Sequence, residues 1–593
     1  MANWRYAFLP KNSVASEFQP ILILGGPNHP IIPSSQIQKI FSSFLHPKFS
    51  KAHSSQSKRN RFVQAMDAVL DKAHLILDFL AWICLGWYLI MILMAISGSI
   101  IAFQKYRQAP PPPPFQISSS LTQSTASSTI RPSSKTQNLL IPSVSILRPL
   151  CGLDYGLKDN LESSFVQQWP LDRFEVICCV ADSDDPAVRV VEEVMEKYPA
   201  VNARLLIGEE RVGVNPKINN LVGAYRTAQA DLLWILDSNA RVHPTALARA
   251  VSVLSPPAGP TGSTNRLRTR IGLVHHVPAA ILPQGYANPL STRFGTLLEG
   301  CFLNGNHARQ YLTLNAASVA SCLMGKSNLF YRSDLERATR HSMLRQGSHL
   351  SSSSRLDDEQ ASLLASTGSN QHQSTSSSSN QALELFGQFL GEDNMIGQTL
   401  WDDGVRHATT IDVVGNVVGP LSVIDYIRRR VRWIRARKYM TKASTLLEPL
   451  TESILLGILM TFSLERLDLT GGWQKKLIML IHLMIYFTLD YSVYRSLRHS
   501  PLFMMESTRP NGIESAGGSH HNRNDSRDSN RLINERRESI ESKIGFKSFL
   551  IGWIGRESLA LLVWLIAMSS DEVIWRKDGK LMKVTNDGKV IEN

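Results

Sequence analysis

Short and long apolar runs share this chain, and the two kinds predict different structures. VSILRP from Val144, FEVICCV (Phe174–Val180), RLLI (Arg204–Ile207), LLWIL (Leu232–Leu236) and IGLVHHV (Ile271–Val277) are short and bounded by polar residues, and they read as buried strands. Helix-like segments fall between them, near 157–168, 186–198, 217–228 and 245–254. Strands alternating with helices predict an α/β fold on a mostly parallel, Rossmann-like sheet.

The long runs are of membrane type. Phe79–Phe103 carries no charged residue and is long enough to cross a hydrocarbon core of about 30 Å. Tryptophans and a tyrosine inside it, with Lys105 and Arg107 after it, suit interface anchors. Ile454–Leu464 and Leu477–Leu489 are apolar but short, and could form a hairpin or lie in the interface. Phe549–Met568 is longer, though Arg556 and Glu557 interrupt it.

Polar stretches divide the rest. The pattern predicts a poorly ordered extension over 1–72, a membrane helix over 73–106 and a Pro/Ser-rich linker over 107–141. The α/β domain is expected over 142–450, with disordered insertions near 255–270 and 339–380. Hydrophobic membrane segments over 451–493, a basic disordered loop over 494–547, a transmembrane helix over 548–570 and a tail over 571–593 complete the layout.

The net charge of +13 suits nucleic acid, an anionic membrane surface or a polyphosphate ligand. Its concentration beside the membrane segments and in loops disfavours nucleic acid. The six cysteines form no CxxC pair and no zinc-like cluster, and read as free thiols in a reducing compartment.

Candidate chemistry lies where strands end, because open sheets bind ligands outside their carboxyl ends. ADSDDPA after FEVICCV supplies Asp182, Asp184 and Asp185, and DSNARV after LLWIL supplies Asp237. Carboxylates at neighbouring strand ends can hold a nucleotide and its divalent metal. The competing reading is a helix cap, since Asp185 precedes Pro186; spacing alone leaves the two about even. GEDNM brings Glu392 and Asp393 to a helix start. YIRRRVRWIRARKYM (Tyr426–Met440) places Arg429, Arg432 and Trp433 at i, i+3, i+4, one helical face, with Ile427, Val431 and Ile434 on another. Such arginines can grip a diphosphate or lie among lipid headgroups.

Taken together these residues resemble the ceramide glucosyltransferases. The family's D1, D2, D3 and (Q/R)xxRW elements correspond to Asp185, Asp237, Asp393 and Arg429–Trp433. GVNPKINNL, GLVHHVP, NGNHARQY, SCLMGKS and a final IWR near Trp575 match this branch. The resemblance implies a GT-A fold with N-terminal and C-terminal transmembrane helices, and inverting transfer of glucose from UDP-glucose to the primary hydroxyl of ceramide. It implies Asp393 as catalytic base and Arg432, Trp433 and His307 in the reacting region. Asp185, Asp237, Arg429 and Lys217 are implied on the donor side, with Mg2+ or Mn2+ at Asp237. It also implies a multi-pass protein of Golgi or endoplasmic reticulum membrane with a cytosolic catalytic domain. Alternative readings are a processive polysaccharide synthase, which shares the Asp set, and an inactive membrane scaffold.

Overall fold

The computed structural model describes residues 54–108, 141–255, 270–283, 286, 288–290, 292–353, 380–508, 540–541, 544–574, 581–585 and 589–592. The extension before residue 54, most of the linker, and the cores of the predicted insertions and basic loop lie outside these residues. The chain divides into two compact units, Met1–Leu75 and Ile76–Asn593. Helix α1 (Ser54–Tyr106) begins in the first, and every other described element belongs to the second.

The α/β part runs β1 (Val144–Leu150), α2 (Leu157–Phe165), β2 (Phe174–Val180), α3 (Ala187–Lys197), β3 (Asn202–Ile207), α4 (Pro216–Thr227), β4 (Leu232–Leu236), β5 (Ala240–Arg241), α5 (Ala246–Val253) and β6 (Ile271–Pro283). All five expected strands and all four expected helices are present. Then come α6 (Phe294–Phe302), a π-helical turn (Leu303–His307), α7 (Ala308–Ala317), β7 (Ser327–Tyr331), α8 (Arg332–Ser353), α9 (Glu392–Asp402), β8 (Arg406–Val417) and α10 (Val423–Arg437).

The sheet order is β3-β2-β1-β4-β7-β6-β8-β5. Strands β3, β2, β1 and β4 are mutually parallel, as βαβ crossovers require. β7 enters antiparallel to both β4 and β6, and β8 lies parallel to β6. One apolar cluster, including Ile146, Val176 and Trp234, joins the sheet to α2, α3 and α5. A second, including Leu147, Ile177, Tyr225 and Phe330, joins its other face to α4, α8 and α9. Full burial on both faces explains why β1, β2 and β4 read as unbroken apolar runs; β3, at the sheet edge, is only half-buried.

The membrane-facing part contains α11 (Lys442–Leu447), α12 (Ser453–Arg466), α13 (Trp473–Leu497), α14 (Pro501–Thr508), β9 (Ile540–Glu541), α15 (Phe546–Met568) and a small antiparallel sheet of β10 (Glu572–Ile574), β11 (Leu581–Val584) and β12 (Val590–Glu592). Among the described residues, three helices are long and apolar enough to cross a membrane: α1 from Val63, α13 and α15. The segment Lys442–Thr451 meets α12 at 72°. α12 and α13 pack together as a hairpin: His482 bonds the Ser453 carbonyl at 2.8 Å, and Gly457 lies against Met479 and His482.

Several boundaries differ from the sequence reading. α1 is continuous from Ser54, so no break separates an extension from the span. α8 continues to Ser353, into the predicted Ser-rich insertion. α13 and α14 occupy 494–497 and 501–508, which composition had assigned to a loop. Charge and serine content hid helices whose apolar positions, such as Leu497, Leu502 and Phe503, are buried.

Gly295 fixes how α10 sits on α6. A Cβ there would collide with the Ser422 carbonyl, at the residue whose side chain caps α10 in a reciprocal Ser422/Asp425 box. Gly295→Ala is expected to cost about 1–3 kcal/mol through overpacking. A lowered thermal midpoint in detergent, with activity reduced because α10 shifts, is the measurement that checks it.

Candidate active site

The carboxyl ends of β1 and β4 open into one cavity of about 1280 Å³. Pro149–Asp154, Ala181 and Asp237–Asn239 line it on the sheet side. Leu390–Asn394 and Lys217 line the next wall, and Arg429, Arg430, Arg432, Trp433 and Arg437 the one after. The far end is apolar and belongs to the membrane-crossing helix: Trp87, Ile90, Met91, Met94 and Ala95. One continuous space therefore joins a charged strand edge to a span.

Two turns hold the carboxylates in place. The Asn215 side chain caps α4 by accepting from the Lys217 and Ile218 amides. The same side chain donates to the Phe389 carbonyl at 2.7 Å and to Glu392 Oε2 at 2.9 Å. The Asn215 amide donates to Gly387 O at 2.8 Å, and Gly213 lies against Gly387 so closely that neither tolerates a Cβ without movement. The turn before α4 and the turn before α9 thus behave as one cross-braced unit, which carries Lys217 and Asp393.

Lys217 is the hub of the charge cluster. Its ammonium lies 2.7 Å from Asp237 Oδ1 and 2.9 Å from Glu392 Oε1, and donates to Gly325 O at 3.3 Å. Burial alone would lower this amine; the carboxylates of Asp237, Glu392 and Asp393 outweigh burial and raise it. Lys326 pairs with the other Asp237 oxygen at 2.8 Å and with Asn239 Oδ1 at 2.9 Å. Burial disfavours the charged Asp237, but the two ammonium groups win and hold its carboxyl below the usual range. Asp393 stands the other way. Burial and then the adjacent Glu392 push it up to about 6, and Lys217 opposes them only in part. Two carboxyl groups in one cleft are thereby driven apart in basicity, which is how acid–base roles are divided.

On α10 the expected face is present. Arg429, Arg432 and Trp433 line the cavity, while Ile427, Val431 and Ile434 pack on Leu559, Val563 and Ala567 of α15. The Arg429 guanidinium is 4.8 Å from the Trp433 ring centroid, and its Nε donates to the buried Glu299 at 2.9 Å. Arg430, on the same wall, lies 3.6 Å over the Phe302 ring. His307 lines the same cavity between the rings of Phe302 and Tyr311. Burial, then Arg430 and Arg437, lower its imidazole to about 3, so the ring is neutral, and its buried Nδ1 has no hydrogen-bond partner among the described residues.

The structure brings Asp237, Asp393, Lys217, Arg429, Arg432, Trp433 and His307 to one cavity, and it does not bring Asp185 there. Asp185 accepts from the Gly152 amide at 2.9 and 2.8 Å and from the Ala187 amide at 2.9 Å. It is the helix-start carboxylate of the competing reading, and it fixes the β1 loop whose Gly152 does line the cavity. Asp182 and Asp184 are exposed.

The expected divalent metal meets a different occupant at Asp237, since each carboxylate oxygen already faces an ammonium. Among the described residues, no group of three or more His, Cys, Asp or Glu side chains is arranged to hold a metal ion. A magnesium or manganese ion would have to displace a lysine, so the residues as arranged do not fit it. Sequence reasoning missed Lys326, Glu299 and Asn215. Lys326 and Asn215 lie inside the motifs SCLMGKS and GVNPKINNL, whose chemistry shows only after folding.

This cleft lies on an α/β sheet and reaches a helix long and apolar enough to cross a membrane. The chain belongs to glycosyl transferase family 21, which it matches over residues 114–339 and 382–509. It is 32% identical to a ceramide glucosyltransferase of Komagataella phaffii, over 84% of this chain and 89% of that one. A Candida albicans ceramide glucosyltransferase is 29% identical, over 84% of this chain and 95% of the relative. A Pyricularia oryzae ceramide glucosyltransferase is 28% identical, over 87% and 96%.

Asn215→Ala removes a helix cap and leaves the Phe389 carbonyl and one Glu392 oxygen short of a donor. The expected cost is about 1–3 kcal/mol. A lower unfolding midpoint in detergent is the outcome to look for, with Asn215→Asp, which keeps the cap but turns a buried carboxylate oxygen toward Glu392 and the Phe389 carbonyl, falling at least as low.

Proposed function

We propose that the protein transfers glucose from UDP-glucose to the primary hydroxyl of ceramide with inversion, giving β-glucosylceramide. The observation that carries the reading is the continuity of one cavity from Asp237 and Lys326 to the apolar face of the membrane-crossing helix. Ceramide is held in a bilayer by about 0.8 kcal/mol per buried CH2, whereas a nucleotide sugar is charged and water-soluble. A site serving both must reach both environments. The names of the relatives supply the substrate class.

In this reading the nucleotide lies along the carboxyl ends of β1 and β4, against the loop that Asp185 steadies. Asp393 accepts the proton of the acceptor hydroxyl as that oxygen bonds to the anomeric carbon. The bond from that carbon to the β-phosphate oxygen breaks on the opposite side, and UDP leaves with the electron pair. Lys217, Lys326 and Arg432 meet the charge that develops on the diphosphate. Trp433 and His307 shape the space where sugar and acceptor meet, and Arg429 acts by fixing the Trp433 ring. The membrane is that of the Golgi or endoplasmic reticulum, with the catalytic domain facing the cytosol.

The deciding experiment is a panel of UDP-glucose, UDP-galactose and GDP-mannose against ceramide, diacylglycerol and no lipid, with the protein in nanodiscs. Lipid-linked glucose on ceramide alone supports the reading. A polymer, or a product without ceramide, refutes it. Asp393→Asn is expected to lower kcat by ~10²–10⁴-fold, the range for a general base.

The pH dependence has a definite sign. A base works only when ionised, so kcat/KM falls as pH drops through about 6, the value to which burial and Glu392 raise Asp393. Glu392→Gln removes a raising charge and frees Lys217 to face Asp393. The acid limb should therefore move to lower pH in that variant; a limb that stays in place or moves upward argues against Asp393 as the base.

A further inference from the structure

Helix α15 has the composition of a span and the tethers of something else. It is 23 residues long, or about 34 Å at 1.5 Å per residue. A helix that crosses a bilayer places its ends on opposite sides. Both ends of α15 are fastened to the same α/β domain.

At its start, β9 pairs with Leu282 and Pro283 at the end of the sheet strand β6. Ile544 then packs with Leu282 and Leu303, and its backbone amide and carbonyl both bond the Tyr494 hydroxyl, at 2.7 and 3.0 Å. At its end, the Arg435 guanidinium on α10 donates to the carbonyls of Ile566, Ala567 and Glu572 at 2.9, 3.3 and 2.8 Å. Lys438 reaches Met568 O at 3.3 Å and Asp571 at 2.6 Å. These cations meet the helix at its negative pole. The chain continues into the β10–β12 sheet, whose Val573, Met582, Val584 and Val590 pack on Val214, Leu390 and Tyr439. Those three residues flank the Lys217 turn, the Asp393 turn and the arginine helix. A crossing α15 would carry this sheet to the side away from the cleft it touches.

The middle of the helix agrees. Trp553 donates to Asp490 at 2.8 Å, and Glu557 accepts from the Ser453 amide at 3.2 Å. Ser453 is the first residue of α12, and Asp490 lies on the part of α13 that has already passed Ser453 toward the sheet. α15 therefore meets α12 at its first residue, and meets α13 about 12 Å beyond the level of that residue, on the side nearer the domain. Its inner face packs Gly552 and Gly555 onto α6 and Val563 and Ala567 onto α10. Its outer face, Ile551, Ile554, Leu561, Leu562 and Leu565, is exposed at 43–52% each.

We propose that α15 does not cross the bilayer but lies in the plane of the leaflet nearest the catalytic domain, its outer stripe set among the acyl chains and its C-terminus on the catalytic side. The occupant of that stripe is lipid, because α15 is apolar enough to cross a membrane and is bonded through Trp553 and Glu557 to α13 and α12, the hairpin that carries another span. An in-plane amphipathic helix sinks its apolar face about 5–10 Å into the headgroup–acyl boundary. Here it would set the depth at which the Trp87 end of the cavity lies relative to the leaflet. This holds whichever sugar or lipid the site uses.

Sealed microsomes carrying the full chain test it. Epitope tags are placed after Asn593, between Asp468 and Gly472, and within the 109–140 linker, and external protease is added. The expected result is that the Asn593 and linker tags share one fate and the 468–472 tag shows the other; an Asn593 tag that follows the 468–472 tag overturns the proposal. As a second measurement, single cysteines at Ile551, Ile554, Leu561 and Leu565, in a Cys84→Ala, Cys151→Ser background, carry nitroxide labels in nanodiscs. Equal depth at all four is expected. A steady gradient over the roughly 21 Å between the first and last, at 1.5 Å per residue, overturns it.

Discussion

One ammonium group makes the rest of the site possible. Asp237 comes from the end of a central strand and Glu392 and Asp393 from the start of a helix far along the chain, and Lys217 stands among all three. Buried carboxylates crowded in this way repel and neutralise unless a buried cation answers them. With Lys217 and Lys326 in place, Asp237 remains ionised while Asp393 is left with raised basicity. The division of labour in the cleft is a consequence of where the two lysines sit.

The second constraint is geometric. A charged donor cannot enter hydrocarbon and a two-chain lipid acceptor leaves it only at great cost, so chemistry between them needs a site at the boundary. The fold answers with helices α6, α10 and α15, which pack on one another as one layer beside the cavity. α10 is the hinge of that layer. Its apolar face rests on α15, its Arg429 is fixed by Glu299 from α6, and its polar face looks into the cavity. The basic segment that composition would assign to lipid headgroups is therefore occupied mainly by protein: Arg430 by Phe302 and Glu448, Arg435 by the end of α15, Lys438 by Asp571.

Much of the α/β core was legible because strands buried on both faces have no polar positions to disguise them, and the helices between them carry ordinary periodicity. β7 and β8 were not picked out. SNLFY is short, and the β8 segment RHATTIDVVGNV mixes polar and apolar residues because its first half is only partly covered. Asp185 shows what the sequence could not give: an Asp before Pro at a strand end suits a ligand and a helix start equally, and its acceptance of the Gly152 and Ala187 amides appears only in the fold.

The sequence by itself determined the α/β class, the presence of a long apolar span, the helical face shared by Arg429, Arg432 and Trp433, and the kinship carried by its motifs. These depend on local period and residue type, which are written along one dimension. The pairing of Lys217 and Lys326 with Asp237, the bracing of Gly213 against Gly387 and the course of α15 depend on contacts between residues far apart in the chain. Hydropathy measures how much a helix dislikes water, not which way it points. Only the tertiary structure could fix that direction, by fastening both of its ends to one domain.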